Sequence, residues 1–178
     1  MIELSTERLL LRPMTAGDVE AHARITGDPE VMRWITGRPL SRTDAWWNVA
    51  RYLGHWQLRG FGMWGLFERA TGTLVGHVGF LEPDGDVGFE LGWALARHAQ
   101  GKGYALEACR AAIGHAVALG RDRIACVIDR GNERSLRLAE RLGAVRTGRT
   151  TSRGADLLVY ELRPTAHLQR DPDAPAPR

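Results

Sequence analysis

The stretch HAQGKGYALEA, His98 to Ala108, sets Gly101 and Gly103 around the single lysine of the chain, Lys102, and then runs into a helix-forming sequence. Glycines permit unusual φ and close approach by the backbone. A helix that begins straight after such a turn presents free N–H groups and a partial positive charge. This combination suits an anion, and a pyrophosphate fits it. Two common phosphate loops fail on spacing. A P-loop would need Gly and then Ser or Thr where Ala96 and Gly103 stand, and a dinucleotide fingerprint would need Gly where Leu106 stands.

Other chemistries find little support. There is no G-x-S-x-G elbow and no H-E-x-x-H, and the six histidines are scattered. Cys109 and Cys126 are too few and too far apart for a disulfide framework or a zinc cluster, and both fall in apolar patterns. His77, mid-strand, reads as a core or cleft histidine, and His98 as a surface residue. The net charge of +3 does not argue for nucleic-acid binding. No apolar run approaches the ~20 residues of a membrane span, and the N-terminus lacks a signal-peptide layout, so a cytoplasmic protein is expected.

The elements that must position the glycine turn follow from periodicity and punctuation. Arg8–Pro13 reads as a first strand. Thr15 caps a helix with Asp18 completing a capping box, and Asp28-Pro29-Glu30 starts a short helix through Trp34. Ser41–Leu58 is helical, with Trp46, Val49, Ala50, Leu53 and Trp56 on its apolar face, and ends at Gly60. Phe61–Glu68 and Leu74–Leu81 read as strands. Pro83-Asp84-Gly85 has hairpin chemistry, which returns Val87–Leu95 antiparallel. A helix over Tyr104–Leu119 closes at Gly120. Arg123–Asp129 is a strand, Asn132–Leu142 a helix closed at Gly143, and Ala144–Thr150 and Leu157–Leu162 are the last strands. At 178 residues this is one mixed α/β domain, residues 1–165, with a Pro-rich tail over 166–178 expected to be disordered.

Taken in that setting, Gln100-Gly101-Lys102-Gly103-Tyr104-Ala105 resembles the Q/R-x-x-G-x-G/A loop of the GCN5-related N-acetyltransferases. Asn132-Glu-Arg-Ser135-Leu-Arg-Leu138 with Leu142-Gly143-Ala144 resembles that family's second motif, with Ala144 in place of Phe. The start, Leu4-Ser-Thr-Glu-Arg-Leu-Leu-Leu-Arg-Pro13, is similar to the RimJ/RimL-type ribosomal-protein acetyltransferases. The resemblance spans about residues 3–163. It implies a mostly antiparallel sheet of about seven strands, splayed between the fourth and fifth and flanked by helices. It also implies acetyl-CoA as co-substrate and an amine as acceptor, with no metal, nucleic acid or membrane partner.

The same resemblance distributes roles. Gln100, Gly101, Lys102, Gly103, Tyr104 and Ala105 would hold the pyrophosphate, with Lys102 itself incidental. The backbone of Trp93, Ala94 and Leu95 would meet pantetheine and the acetyl carbonyl, and Asn132 would cap its helix and touch pantetheine. Glu90, in the strand Val87-Gly-Phe-Glu-Leu-Gly-Trp93, would act as base on the amine through water; by alternation it shares a face with Gly88 and Gly92, while Phe89, Leu91 and Trp93 face the other way. Many members protonate the departing thiolate with a Tyr where this chain has Ala139, which leaves Ser135 as the candidate acid.

Among the tryptophans, Trp46 and Trp56 fall on the apolar helix face and are expected in the core. Trp34 and Trp47 could line the acceptor pocket or a homodimer contact. Two further readings stay open beside the acetyltransferase. One is a non-catalytic acyl-CoA-binding or regulatory domain. The other is a transferase for longer acyl groups, set by the volume near Phe89, Leu91 and Ala139.

Overall fold

The computed structural model describes residues 1–82, 88–152 and 154–164. The Pro83-Asp84-Gly85 turn and the tail over 166–178 lie outside them.

Among the described residues eight strands form one sheet: β1 (Leu4–Ser5), β2 (Leu9–Arg12), β3 (Met63–Glu68), β4 (Leu74–Leu81), β5 (Glu90–Leu95), β6 (Ile124–Asp129), β7 (Val145–Ser152) and β8 (Ala155–Leu162). Their order is β1-β2-β3-β4-β5-β6-β8-β7. All neighbours are antiparallel except β5 and β6, which run parallel and are joined at one pair, Glu90 with Ala125. From there the two strands diverge. The expected splay is thus present, and the sheet gains an eighth strand. Leu4–Ser5 escaped the reading because two residues show no alternation; the strand exists by pairing with Leu10 and Leu11 of β2.

Among the described residues the α-helices that flank the sheet are α1 (Val19–Thr26), α2 (Pro29–Met32), α3 (Arg42–Arg59), α4 (Tyr104–Ala118) and α5 (Glu133–Arg141). Each start has a local cause. Thr15 and Asp18 form the expected capping box ahead of α1. Ser41 Oγ accepts from Asp44 N (3.0 Å) while Asp44 Oδ2 accepts from Ser41 N (3.0 Å), which satisfies two orphan donors of α3. Asp28 accepts from Glu30 N, with Pro29 at the first turn of α2.

Both faces of the central strands are covered, which explains why β3 and β4 read as nearly continuous apolar runs and are buried almost throughout. Opposed residues His77 and Ala94 share one face of β4 and β5. On that face His77 meets His22 of α1 and Tyr52 of α3. On the other face α4 lays Ala108, Cys109, Ala112 and Ala116 flat against the sheet, all fully buried. Small side chains let that helix approach closely.

The apolar face of α3 is displaced from the expected one. Ala45, Val49, Tyr52 and Trp56 are buried, whereas Trp46 is 45% exposed and stands edge-on to exposed Trp47. A stripe chosen by side-chain size is off by one position here. The buried stripe runs through Ala45, and Trp46, one position on, turns outward.

Candidate active site

Strand β5 ends at Leu95 and passes through a 3-10 turn, Arg97–Ala99, into the glycine loop. Gly101 and Gly103 hold φ of 77° and 84°, a region that costs other L-residues about 1 kcal/mol or more. Gly103 is the N-cap of α4 and supplies no side-chain hydrogen bond. The first N–H groups of α4 are therefore left to whatever occupies the space before them.

Side chains fix this loop from three directions. Gln100 Nε2 donates to Leu95 O (3.0 Å), and its Oε1 accepts from Arg134 Nη1 (2.7 Å), which ties the loop to β5 and α5. Tyr104 OH donates to Glu68 Oε1 (2.6 Å); that bond holds the Glu68 carboxyl below its usual range and pushes the Tyr104 phenol up. Arg8 Nη1 donates to Lys102 O (2.8 Å). The Lys102 side chain itself is exposed and does not line the cleft, so its place in the loop is through its backbone.

The cleft before this loop has a volume of about 640 Å³. Its walls include Trp93, Ala94 and Leu95, the loop residues Gln100, Gly101, Gly103, Tyr104 and Ala105, and Asn132 and Ser135 of the facing helix. It thus brings together every expected cofactor-contacting residue except Lys102. Asn132 caps α5: its Oδ1 accepts from Ser135 N (3.2 Å). Ser135 Oγ in turn accepts from Trp93 Nε1 (3.3 Å) across the cleft. Trp34 closes one end. Its ring lies so near Gly131 that a Cβ there would sit 2.5 Å from Cζ3, so this position admits only glycine without a shift.

Glu90 is half-buried and is not on the cleft wall. It lies on the His77 side of β5, opposite Trp93, and forms the one pair that joins β5 to β6. The two catalytic candidates therefore stand on opposite faces of the sheet at the point where it opens. Burial raises both thiols, Cys126 to about 12 with Glu90 contributing, so neither cysteine is poised as a nucleophile. Among the described residues no group of three or more His, Cys, Asp or Glu could hold a metal ion, and no helix is long and apolar enough to cross a membrane.

The sequence offers Arg97 beside the loop, but the three arginines of α5 that line the cleft are not apparent from it. Arg97, Arg134, Arg137 and Arg141 all reach the cleft. The spacing of the last three along α5 places them on one helical face, a signal available in ERSLRLAER but lost among so many arginines. Ala139, where many acetyltransferases carry Tyr, is fully buried.

Comparison with known proteins decides the family. The acetyltransferase (GNAT) domain profile matches residues 8–145. The chain belongs to the GNAT acetyltransferases. This acetyltransferase is 28% identical over 148 residues to the uncharacterized N-acetyltransferase YnaD of Bacillus subtilis (strain 168), covering 83% of this chain and 85% of that one. A crystal structure of an acetyltransferase from Agrobacterium tumefaciens str. C58 superposes with a TM-score of 0.82 at 28% identity, over 92% of this chain and 95% of that chain. RimL, a ribosomal L7/L12 alpha-N-protein acetyltransferase solved in complex with coenzyme A, shares the fold at a TM-score of 0.77 and 18% identity, over 91% and 98% of the two chains. Family and fold together make the protein an acyltransferase by class.

Proposed function

We propose that this acetyltransferase moves the acetyl group of acetyl-CoA to a primary amine, either a protein N-terminus or a small-molecule amine. One observation carries the reading: the end of β5, the Gln100–Ala105 loop and the start of α5 line a single cleft. Acetyl-CoA would supply an activated acyl thioester. The residues present fit it. Uncapped amides at Gly103 and the first turn of α4 face a pyrophosphate, and Arg97, Arg134, Arg137 and Arg141 offset its charge. The backbone of Trp93–Leu95, beside a strand that has parted from its neighbour, offers amide partners to an extended chain.

Ser135 Oγ, held between Trp93 and the first turn of α5, would give a proton to the leaving sulfur. Glu90, on the other face, would accept a proton from the amine through water. An amine and a thioester entering from opposite faces would meet at the gap between β5 and β6. Phe89, Leu91 and Ala139 are packed into the core, which supports a short acyl group over a long one.

The test is a thiol-release assay with acetyl-CoA against N-terminal peptides, polyamines and aminoglycosides. Turnover on at least one amine is expected. Tight acetyl-CoA binding without turnover on any acceptor would favour an acyl-CoA-binding regulatory domain.

A further inference from the structure

Arg8 lies outside the cleft, just before β2, yet it grips the glycine loop. Its guanidinium uses all three nitrogens. Nε and Nη2 meet Glu107 Oε2 at 2.7 and 2.6 Å, and Nη1 donates to Lys102 O at 2.8 Å. Glu107, in the first turn of α4, is itself fixed: its Oε1 accepts from Thr6 Oγ1 (2.6 Å) and from Arg8 N (2.9 Å). The guanidinium also stacks over the Tyr104 ring, 4.8 Å from its centre. A planar fork carries its donors for a carboxylate and a carbonyl on separate, rigidly spaced nitrogens, whereas an ammonium must serve both from one freely rotating nitrogen.

The carbonyl it holds belongs to the Lys102–Gly103 peptide. Among the described residues there is no cis peptide bond. In a trans peptide the C=O and the following N–H point in opposite directions. Neither Arg8 nor Lys102 lines the cleft, while Gly103 does. Gly103 is also free to rotate about a left-handed φ in the absence of a restraint.

We propose that Arg8 is a positioning residue for the cofactor loop: by holding the Lys102 carbonyl on the side away from the cleft, it aims the Gly103 N–H into the cleft at the pyrophosphate. This rests on the reading of the loop as a pyrophosphate site. The device is preorganisation: the amide is aligned before the ligand arrives, so binding need not pay to orient it.

The experiment compares CoA with pantetheine, which lacks the pyrophosphate, by titration against wild type, Arg8→Ala and Arg8→Lys. Arg8→Ala should bind CoA about tenfold more weakly, as expected for one charge-assisted restraint, and leave pantetheine affinity within about twofold. Arg8→Lys, which keeps the charge beside Glu107 but loses the two-way fork, should show the same selective loss to a smaller degree. It also serves if Arg8→Ala fails to fold. Unchanged CoA affinity in both variants, or an equal loss for CoA and pantetheine, would overturn the proposal and reduce Arg8 to a structural strut. A wild-type protein that binds CoA no more tightly than pantetheine is a different result. It would sink the pyrophosphate site itself, and the role of Arg8 with it.

Discussion

The indole N–H of Trp93 points across the cleft and donates to Ser135 Oγ at 3.3 Å. The hydroxyl is thereby held in one rotamer, with its own proton free to turn toward a ligand in the cleft. Ser135→Ala should lower kcat by at least about tenfold with KM for acetyl-CoA within about twofold, in steady-state assays on the best amine of the panel. Trp93→Phe keeps the ring and releases the hydroxyl, and should cost only about threefold. An unchanged kcat in Ser135→Ala would assign protonation of the thiolate to solvent.

Glu90 acts, in the proposed mechanism, on the amine rather than on the thioester. An α-amino group loses its proton unaided near pH ~8. Glu90→Gln should therefore lower kcat about tenfold at pH 6.5 and progressively less toward pH 9, where the amine is already neutral. A pH-independent deficit would mean that Glu90 supports the β5–β6 junction and nothing more.

Between α1 and the sheet lie two buried histidines, His22 of α1 and His77 of β4, whose rings meet at 5.3 Å. Burial lowers the pKa of His22 to about 4 and of His77 to about 3. The unfolded chain takes up these protons near pH 6.5, the folded one far lower. Each neutral histidine thus contributes stability above pH 6.5 that is lost as pH falls from there toward 4. By pH 4.5 the loss should reach roughly 2–3 kcal/mol from each. His115, also lowered by burial, adds in the same direction. Thermal melting between pH 7.5 and 4.5 checks this, and His22→Phe should flatten the slope. Asp18 and Glu107 are held below the usual carboxylate range, so their losses begin at more acid pH.

Gly131 lies against the edge of the Trp34 ring, where a Cβ would sit 2.5 Å from Cζ3. Gly131→Ala should displace Trp34 and open the end of the cleft. The expected readout is a change in tryptophan emission and a rise in KM for the amine, with the melting temperature lowered by a few degrees. Normal kinetics would show that Trp34 touches no substrate.

Much of the site was legible because its signals are local. A left-handed φ demands glycine at Gly101 and Gly103, and caps such as Ser41 and Asn132 mark helix starts wherever the tertiary context allows. The splay was legible only through family resemblance, since nothing in β5 or β6 alone encodes an absence of pairing. What escaped depends on contacts between distant segments. Arg134, Arg137 and Arg141 look like any solvated arginines until α5 is placed over the loop. Trp46 lies off the buried stripe because the face that α3 turns inward is set by the elements it packs on, α1 among them, and not by side-chain size along the helix.

The single Glu90–Ala125 pair makes the sheet two half-sheets riveted at one point. Beyond that rivet, each half presents its own bare selvage to the other, an open seam inside the molecule rather than at its rim. An edge there lies within the sheet, away from the rim where exposed edges invite strand-to-strand recruitment. It accepts only something thin, extended and amide-bearing. In the proposed complex the pantetheine arm is the missing thread, and the fold reaches its full weave only while it holds its co-substrate.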